Sequence, residues 1–281
     1  KGINPYPYSF EKKHHAKDLL EKYQQLQSEE KTKAKVVVAG RMMLKREMGK
    51  ASFAHIQDQS GRIQLYCTSQ DLKEEYDLFK KCDIGDIVGV EGIIFKTKKG
   101  EISVWAKKFT LLAKSLRPLP EKWAGLKDVE TRYRQRYLDL ITNPHVKETF
   151  IQRTKIIDAI RSTLNKKEFL EVETPIIQPI YGGASARPFK SHLHDLDMTV
   201  YLRVANELHL KRLIVGGFEK IYEFAKDFRN ESIDRTHNPE FTQAEFYESY
   251  SDAKKQITFV ERMLKTLVKK VKKKTKIVFK D

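Results

Sequence analysis

This 281-residue chain is poor in cysteine, in long apolar runs and in the glycine patterns that bind nucleotide phosphates. Cys67 and Cys82 are too few for a disulfide framework and lack partner ligands at zinc-site spacing, so we expect free thiols in a reducing cytoplasm. No apolar run reaches the roughly 20 residues that cross a bilayer, and the first residues have no secretory pattern, so no membrane partner is expected. Because neither a Walker loop nor a dinucleotide loop is present, a bound nucleotide would have to be held by side chains on a sheet.

Negative charge is outnumbered by positive charge. The chain has 54 lysines and arginines against 38 aspartates and glutamates, a net charge of +16. Part of the excess is local, because residues 265–281 contain eight lysines and one aspartate. The remainder favours a polyanionic partner such as nucleic acid, although a lysine run at a helix end is more often a solvated face.

The first part of the chain has the element order of a small β-barrel. Helical spacing predicts an amphipathic helix over residues 11–28. The pattern then predicts strands at 36–43, 52–58 and 62–67, a polar helix at 71–81, and strands at 87–95 and 101–112. This is the order of an OB-fold, whose strand face binds single-stranded nucleic acid. We therefore expect a helix and a five-stranded OB-fold barrel in residues 1–115 and a stiff, proline-containing linker at 116–127.

Residues 128–281 are expected to form a second domain. The pattern predicts helices at 130–140, 146–165, 207–215 and from about 252, strands at 169–174 and 199–204, and a loop at 182–189. Strands and helices segregate without βαβ alternation, which favours an α+β fold with an antiparallel sheet.

A predicted hairpin between residues 221 and 247 carries the most informative side chains. A period of two places four residues of each strand on one face: Glu223, Ala225, Asp227 and Arg229 on the first, and Phe241, Gln243, Glu245 and Tyr247 on the second. Charged residues on a strand are more often just the solvated face of a half-buried sheet. Arginine also binds phosphate oxygens, a carboxylate binds an ammonium and a ring stacks on a base, so this face could hold a nucleotide beside an amine.

The order of residues in this hairpin resembles motif 2 of the class II aminoacyl-tRNA synthetases. Arg229-Asn230-Glu231 is followed by His237-Asn238-Pro239-Glu240-Phe241-Thr242 and then by Glu245-x-Tyr247. This loop looks like that of the bacterial-type, lysine-specific members and differs from that of the aspartate and asparagine enzymes. Phe169-Leu170-Glu171-Val172-Glu173-Thr174-Pro175 resembles motif 1, which implies a homodimer through that region.

The resemblance implies an ATP site. Arg229, the implied catalytic residue, would bridge the α-phosphate and the amino-acid carboxylate. Phe241 would stack on adenine and Glu231 would accept from its amine, while His237 would reach the β- and γ-phosphates. The carboxylate of lysine would attack the α-phosphorus, and a ribose hydroxyl of tRNA(Lys) would then take the lysyl group. Catalysis would be positioning and charge stabilisation, with Mg²⁺ on the phosphates.

The resemblance also implies a lysine site. Gly183 and Ala184, in Gly182-Gly183-Ala184-Ser185-Ala186-Arg187-Pro188-Phe189, would approach the substrate closely. Glu207 would hold the α-amino group, although a glutamate at a helix start is more often an electrostatic cap. Asn238 would orient the carboxylate. Glu245 and Tyr247 would hold the ε-ammonium, a charge that needs a paired carboxylate when it is buried.

Two strings in the barrel resemble the family's anticodon-binding strands. They are Gly49-Lys50-Ala51-Ser52-Phe53 and Arg62-Ile63-Gln64-Leu65-Tyr66. The resemblance implies that Phe53 and Gln64 read uridines by stacking and base-edge hydrogen bonds, and that Arg46 and Glu101 make further contacts. Without it, Phe53 would be interpreted as a core aromatic.

The resemblance runs from Gly2 to about Asp252 and has local departures at Asn206, Ala225 and Ser232, which bear on loop geometry. Family members continue to motif 3, which supplies an arginine for the γ-phosphate, and to acidic Mg²⁺ ligands. Neither is found in these 281 residues, and the first residue is Lys1 rather than methionine. We therefore expect part of a longer protein, with no metal ligands of its own and unable to form lysyl-adenylate alone.

The leading interpretation is a lysine–tRNA ligase, or part of one. The alternative is a catalytically inactive, truncated relative that acts as a tRNA-binding module. A lysine ligase acting on a protein is disfavoured, because such paralogues lack the barrel. An aspartate or asparagine enzyme is disfavoured by Glu245-x-Tyr247, since a carboxylate suits an ammonium substrate.

Overall fold

The computed structural model describes residues 4–120 and 126–273. The start of the resemblance at Gly2 lies outside the described residues, and the predicted linker and the lysine-rich end lie partly outside them. By its internal contacts the chain divides into two compact units, Lys1–Pro144 and His145–Asp281. The domain limits predicted at residues 115 and 128 stay a prediction.

The first unit contains a closed barrel. Helix α1 (Ala16–Lys22) precedes strands β1 (Lys31–Met48), β2 (Ala51–Gln57) and β3 (Arg62–Thr68). Helices α2 (Ser69–Leu72) and α3 (Glu74–Lys81) lead to strands β4 (Ile87–Lys96) and β5 (Ile102–Ala113). The strand order is β1-β2-β3-β5-β4, and β4 pairs back onto β1. The predicted five-stranded OB-fold is therefore confirmed.

Alternation along the strands fills the barrel interior. Inward-facing aliphatic residues on four strands are almost fully buried: Val36, Val38, Ala54, Ile56, Ile63, Leu65, Val88, Val90 and Ile94. Phe79 of α3 closes one end of this core and meets Phe109 edge-on, with 5.5 Å between ring centroids. The odd-numbered residues of β2 and the even-numbered residues of β3 are left on the outer face.

Three predicted helices differ in the structure. The helix predicted over 11–28 is only α1, because the amides of Lys13 and His14 donate to the Val37 carbonyl at 3.2 and 3.0 Å instead of continuing a helix. The helix predicted at 71–81 breaks at Lys73, whose φ is +50°. The helix predicted at 130–140 is α4 (Val129–Arg134) and α5 (Arg136–Thr142), which are separated at Gln135. Neither break has the glycine or proline that would signal it.

The second unit contains two three-stranded sheets and three α-helices among its described residues. Its elements are α6 (Pro144–Asn165), β6 (Leu170–Glu171), β7 (Ile177–Gln178), β8 (Lys190–Leu193), β9 (Met198–Leu202), α7 (Glu207–Val215), β10 (Lys220–Phe228), β11 (Glu240–Glu248) and α8 (Ala253–Lys272). The sheet orders are β11-β10-β6 and β7-β9-β8, antiparallel except for the short parallel pair β10–β6. The predicted α+β class is confirmed. The strand predicted at 169–174 is reduced to β6, and β7 and β8 lie where no strand was predicted.

One face of the β10–β11 hairpin packs against helices. Tyr222 is fully buried against Leu164 of α6 and Phe169. Phe169 meets Phe246 edge-on at 5.6 Å and stacks on Phe259 of α8 at 5.8 Å. Because side chains alternate along a strand, this packing turns the odd-numbered residues to the other face. None of the helices in residues 4–120 and 126–273 has the length and apolarity to cross a membrane.

Candidate active site and RNA interface

The register of the hairpin brings the predicted side chains onto one face. Glu223 lies opposite Glu245, Ala225 opposite Gln243 and Asp227 opposite Phe241. The amide of Arg229 donates to the Pro239 carbonyl at 2.8 Å and extends the pairing by one step. The grouping predicted from the period of two is therefore confirmed, with Arg229 at the loop end and Tyr247 at the opposite end.

The loop end of the hairpin contains a cavity of about 240 Å³. All four residues predicted for ATP line it, together with Asn238: Arg229, Glu231, His237 and Phe241. The guanidinium of Arg229 lies 5.1 Å from the Phe241 ring centroid, within cation–π range. A second cavity, of about 700 Å³, shares Glu231 and Ser232 and is bounded by Arg187.

Backbone contacts link the Ala-Arg-Pro loop to motif 2. The amide of Asn230 donates to the Arg187 carbonyl at 2.8 Å, and the amide of Arg187 donates to Glu231 at 3.4 Å. These two bonds place the Arg229-Asn230-Glu231 segment directly beside the loop that was predicted to contact the amino acid.

Asp234 shapes the loop that carries His237. Its carboxylate accepts from the backbone amides of Thr236 and His237 at 2.7 and 2.8 Å, and it lies 2.8 Å from Nδ1 of His237. The Thr236 amide and the His237 side chain lower the pKa of Asp234 to about 2. The carboxylate therefore stays ionised at neutral pH and holds the loop, which leaves His237 and Asn238 exposed.

At the other end of the hairpin, the carboxylate of Glu245 is oriented by hydrogen bonds. Glu245 accepts from the Tyr247 hydroxyl at 2.6 Å and from the Gln243 amide at 2.7 Å. Burial and the charges of Glu245 and Glu207 raise the pKa of Tyr247, so its proton stays in place as a donor. Because each carboxylate oxygen has two lone pairs, both oxygens of Glu245 can still accept from an ammonium group.

Glu207 and Gly183 meet at the start of α7. Gly183 has φ +85°, and a Cβ atom there would lie 2.9 Å from Cβ of Glu207. Only glycine fits this conformation and this approach. Glu207 is half-buried and pairs with Lys211 one turn later at 2.5 Å, and Ala184 follows Gly183 in the same loop. The three residues predicted here for lysine binding thus lie together, near the Glu245 and Tyr247 pair.

A buried ion network that joins Glu223 and Asp227 of this face to Arg203 was not predicted. Arg203 is 3% exposed and donates to Glu223 at 2.9 Å, and its Nε lies 3.2 Å from Asp227. Glu223 also accepts from the Asn206 amide at 2.9 Å. Asn206, which departs from the family pattern, therefore helps to hold the segment that carries Glu207, the next residue in the chain. Two buried carboxylates on one strand face require a cation, and that requirement is the signal that could have found Arg203.

Asp227 is the member of the network with the fewest hydrogen-bond partners. It is fully buried, and apart from its ion pair with Arg203 neither of its oxygens has a hydrogen-bond donor among the described residues. Burial raises its pKa to about 6, against the lowering effect of Arg203, and Glu245 and Glu223 add to the increase. Its strand position, opposite Phe241, puts it between the predicted ATP and lysine residues.

The outer face of the barrel carries a row of residues in register across four strands. Arg46 of β1 pairs with Phe53 of β2, Phe53 with Tyr66 of β3, and Tyr66 with Trp105 of β5. The Phe53 and Tyr66 ring centroids are 5.0 Å apart, and those of Tyr66 and Trp105 are 5.3 Å apart. Two residues of this row, Tyr66 and Trp105, were not predicted. Because Tyr66 and Trp105 follow Gln64 and Ser103 by two residues, the alternation of side chains along a strand could have placed them on the same outer face.

The neighbouring row holds the other two predicted anticodon residues. Gln64 is 9% exposed; its amide donates to Glu101 at 2.6 Å and accepts from Ser103 at 2.8 Å. Glu101 is exposed, and its other oxygen lies 2.7 Å from Nε2 of His55. The Gln64 amide is therefore already oriented by protein partners, and it must exchange or share one of them to reach a base edge.

The cysteines and possible metal ligands add no further site chemistry among the described residues: neither thiol is exposed. Cys67 and Cys82 are free and buried, and burial raises the pKa of each thiol to about 12. Within residues 4–120 and 126–273, no group of three or more histidine, cysteine, aspartate or glutamate side chains is arranged to hold a metal ion.

Comparisons with known proteins cover both units. A family described as tRNA synthetases class II (D, K and N) matches residues 128–280, and one described as OB-fold nucleic acid binding domain matches residues 36–112. The chain is 57% identical over 271 residues to a lysine–tRNA ligase of Carboxydothermus hydrogenoformans, covering 96% of this chain and 54% of that protein. It is 54% identical over 282 residues to a lysine–tRNA ligase of Oceanobacillus iheyensis, covering 99% and 57%. The chain spans about half the length of these curated relatives.

Proposed function

Because the chain belongs to the class II tRNA synthetases of the aspartate, lysine and asparagine group, we propose that it serves the ATP-dependent ligation of lysine to tRNA(Lys). The observation that carries the proposal is the single hairpin face with Arg229 and Phe241 at one end and the Glu245–Tyr247 pair at the other. The sequence identities of 57% and 54% to relatives named lysine–tRNA ligase support lysine, rather than aspartate or asparagine, as the amino acid.

The ATP role rests on the loop-end cavity. Phe241 offers a ring for adenine, and Arg229 beside it offers a guanidinium for the α-phosphate. Glu231 lies on the cavity wall with its carboxylate near the Arg187 amide, where it can accept from the adenine amine. His237, ordered by Asp234, can reach the outer phosphates.

The lysine role rests on two carboxylates that bind different amines of the substrate. Glu245, fixed by Tyr247 and Gln243, takes the ε-ammonium. Glu207, pressed against Gly183, takes the α-amino group, and Asn238 orients the carboxylate near Arg229. Ala184 lets the loop backbone approach the substrate. Two anionic contacts at the two amines and a cationic contact at the carboxylate match the charges of free lysine.

In the proposed reaction, the lysine carboxylate attacks the α-phosphorus of ATP and pyrophosphate leaves. In the second step the terminal ribose hydroxyl of tRNA(Lys) attacks the carbonyl carbon of the lysyl-adenylate, so that the lysyl group passes to the ribose oxygen and AMP and the hydroxyl proton are released. No protein nucleophile is needed, and Arg229 acts by screening two anions that must approach each other. Family membership implies ATP as a substrate and, typically, Mg²⁺. The described residues hold no cluster suited to that ion, so no step is assigned to it here.

The tRNA role rests on the outer barrel face. Phe53, between Arg46 and Tyr66, is a half-buried ring beside a cation, which suits a stacked base and its phosphate. Gln64 and Glu101 offer amide and carboxylate edges for base hydrogen bonds in the next row. We place the reaction in the cytoplasm, where tRNA is charged.

We further propose a homodimer through the motif 1 region. Large apolar side chains are exposed there, from 40% at Ile176 to 74% at Ile180, with Leu170 and Ile177 between these values. An exposed apolar patch of this kind is typical of a protein interface. Sedimentation equilibrium of the full-length protein should give a dimer mass, whereas a concentration-independent monomer would contradict the proposal.

The test is amino-acid-dependent ATP–pyrophosphate exchange by the full-length protein. We expect lysine, and not asparagine, to support exchange. Glu245→Gln should raise the KM for lysine by about 100-fold, because a buried ammonium loses its charge partner, with a much smaller effect on the KM for ATP.

Glu240→Gln is the matched control. Glu240 is on the same strand but on the other face, in an exposed pair with Lys226 at 3.7 Å, and its variant should behave like wild type. Absence of lysine-dependent exchange would refute the function, and exchange driven by asparagine instead would refute the lysine site.

A further inference from the structure

The barrel face continues past the four residues assigned above to tRNA. The row from Arg46 to Trp105 crosses four strands, and at a strand spacing of ~4.8 Å it is about 14 Å wide. A stacked base step advances ~3.4 Å along a strand of nucleic acid, so more than one nucleotide must cross a row of this width. Phe53 can hold only one of these bases.

Trp105, at the far end of the row, is a fixed ring. Its indole N–H donates to Asp71 at 2.7 Å, and Asp71 also accepts from Thr68 at 2.6 Å. Although burial opposes ionisation, hydrogen bonds from Lys107, Thr68 and Trp105 keep the pKa of Asp71 below its usual value. Tyr66 and Phe95 support the indole from the side, with centroids 5.3 and 5.4 Å away. A ring that is already oriented loses little conformational entropy when it binds a base.

Two ammonium groups lie on this ring. Nζ of Lys31 is 4.1 Å and Nζ of Lys107 is 4.6 Å from the Trp105 ring centroid. Lys107 has a partner in Asp71 at 2.5 Å, whereas Lys31 has no ion pair with a carboxylate among the described residues. Both lysines are exposed, so they can move from the ring to a phosphate while the indole stays in place.

We propose that Trp105 is a second base-stacking position for the RNA loop, and that Lys31 and Lys107 bind the phosphate of the nucleotide it holds. The RNA strand would cross the barrel from Arg46, over Phe53 and Tyr66, to Trp105. This inference rests on the proposed tRNA function and adds the far half of its binding surface.

The first test measures the affinity of the 281-residue chain for a synthetic anticodon stem–loop of tRNA(Lys) by fluorescence anisotropy. Trp105→Ala should weaken binding by about 5- to 150-fold, the range expected for one lost stacking contact, and Trp105→Phe should keep most of the affinity. Lys31→Ala and Lys107→Ala should each reduce the slope of log K against log salt by about 0.7. Lys108→Ala is the control, since Lys108 follows Lys107 but pairs with Glu91 at 3.1 Å.

The second test locates the base. Stem–loops with one abasic anticodon position are paired with Trp105→Ala in a double-mutant cycle. At one position the abasic RNA should lose affinity for the wild type but not for the variant. Trp105 emission, isolated in a Trp123→Phe background, should be quenched by the intact loop and less by that abasic RNA. A purely structural tryptophan would show neither effect.

The outcomes separate the two proposals. Wild-type affinity and salt slope in Trp105→Ala, Lys31→Ala and Lys107→Ala would overturn this inference and leave the proposed function standing. Failure of the wild-type chain to bind the stem–loop would overturn both. If Trp105→Ala does not fold, the two lysine variants and the abasic quenching series decide the question alone.

Discussion

At the scale of single residues, two aspartates on either side of Arg229-Asn230-Glu231 have pKa values shifted in opposite directions. Asp227 is buried and, apart from its ion pair with Arg203, has no hydrogen-bond donor among the described residues, and burial raises its pKa to about 6. Asp234 is exposed and surrounded by donors from Thr236 and His237, which lower its pKa to about 2. The environment, and not the residue type, decides the charge of each carboxyl.

The raised pKa of Asp227 predicts a stability change with pH. Between about pH 4 and 6 the folded state binds a proton at Asp227 that the unfolded state has lost, so the free energy of unfolding should fall as pH rises. Above pH 6 Asp227 is ionised in both states, so the destabilisation that it causes should be constant. Asp227→Asn should remove this slope. Its free energy of unfolding should exceed that of the wild type by at most about 3 kcal/mol at the top of the range, reduced by the stabilisation lost with the Arg203 ion pair. Urea midpoints measured from pH 4 to 8 would show it.

Asp234→Asn is the control of opposite sign. The stability that Asp234 contributes is present above about pH 4 and is lost as pH falls towards 2, so this variant should differ from wild type by a constant amount between pH 4 and 8. Parallel profiles for wild type and Asp227→Asn between pH 4 and 7 would contradict the assignment of Asp227.

At the scale of elements, Arg203 joins three segments of the second unit. It donates to the Thr174 carbonyl before β7 at 3.0 Å and to the Lys226 carbonyl of β10 at 2.8 Å, while its own position follows β9. The two sheets of this unit are therefore connected through one buried cation and the carboxylates of Glu223 and Asp227.

Arg203→Met should destabilise the second unit by about 3–5 kcal/mol, because it leaves two buried carboxylates without their cation. Lys226→Met, at an exposed position of the same hairpin, removes only a half-exposed pair at 3.7 Å and should cost about 0.5 kcal/mol or less. Chemical denaturation of both variants makes the comparison. Equal, small losses in the two would show that Arg203 is not the link between the sheets.

At the scale of the whole molecule, the barrel has a core of its own. Every buried residue of its main cluster lies between Ala16 and Leu111. Helices α4 and α5, which fall in the same compact unit, contribute none of them. The domain limit predicted at residue 115 is therefore compatible with a core that is complete before the linker begins.

We predict that residues 1–115 fold alone and bind the anticodon stem–loop as tightly as residues 1–144. The reason is that a closed barrel satisfies its strand edges within itself and buries its apolar residues without α4 and α5. Thermal unfolding followed by circular dichroism, together with the RNA titration, would test this. If residues 1–144 fold and residues 1–115 do not, the domain ends at Pro144 instead.

Much of the fold follows from local rules that a sequence displays. The period of two grouped Glu223 with Asp227 and Phe241 with Glu245, and the register agrees. Strand and helix order predicted the OB-fold, and a resemblance from Gly2 to about Asp252 indicated the family that the comparisons then matched. These features depend on neighbours in the chain, so they can be derived from the order of the residues.

Other features depend on partners far away in the chain, and they become visible when the folded segments are brought together. The breaks at Lys73 and Gln135 occur without glycine or proline, so no residue type at either position signals them. Arg203 reaches Glu223 and Asp227 only when β9 and β10 are in place, and Trp105 meets Lys31 only when the barrel closes. The roles of individual site residues stay predictions. Their placement rests on charge pairing and ring contacts between segments, which no local periodicity encodes.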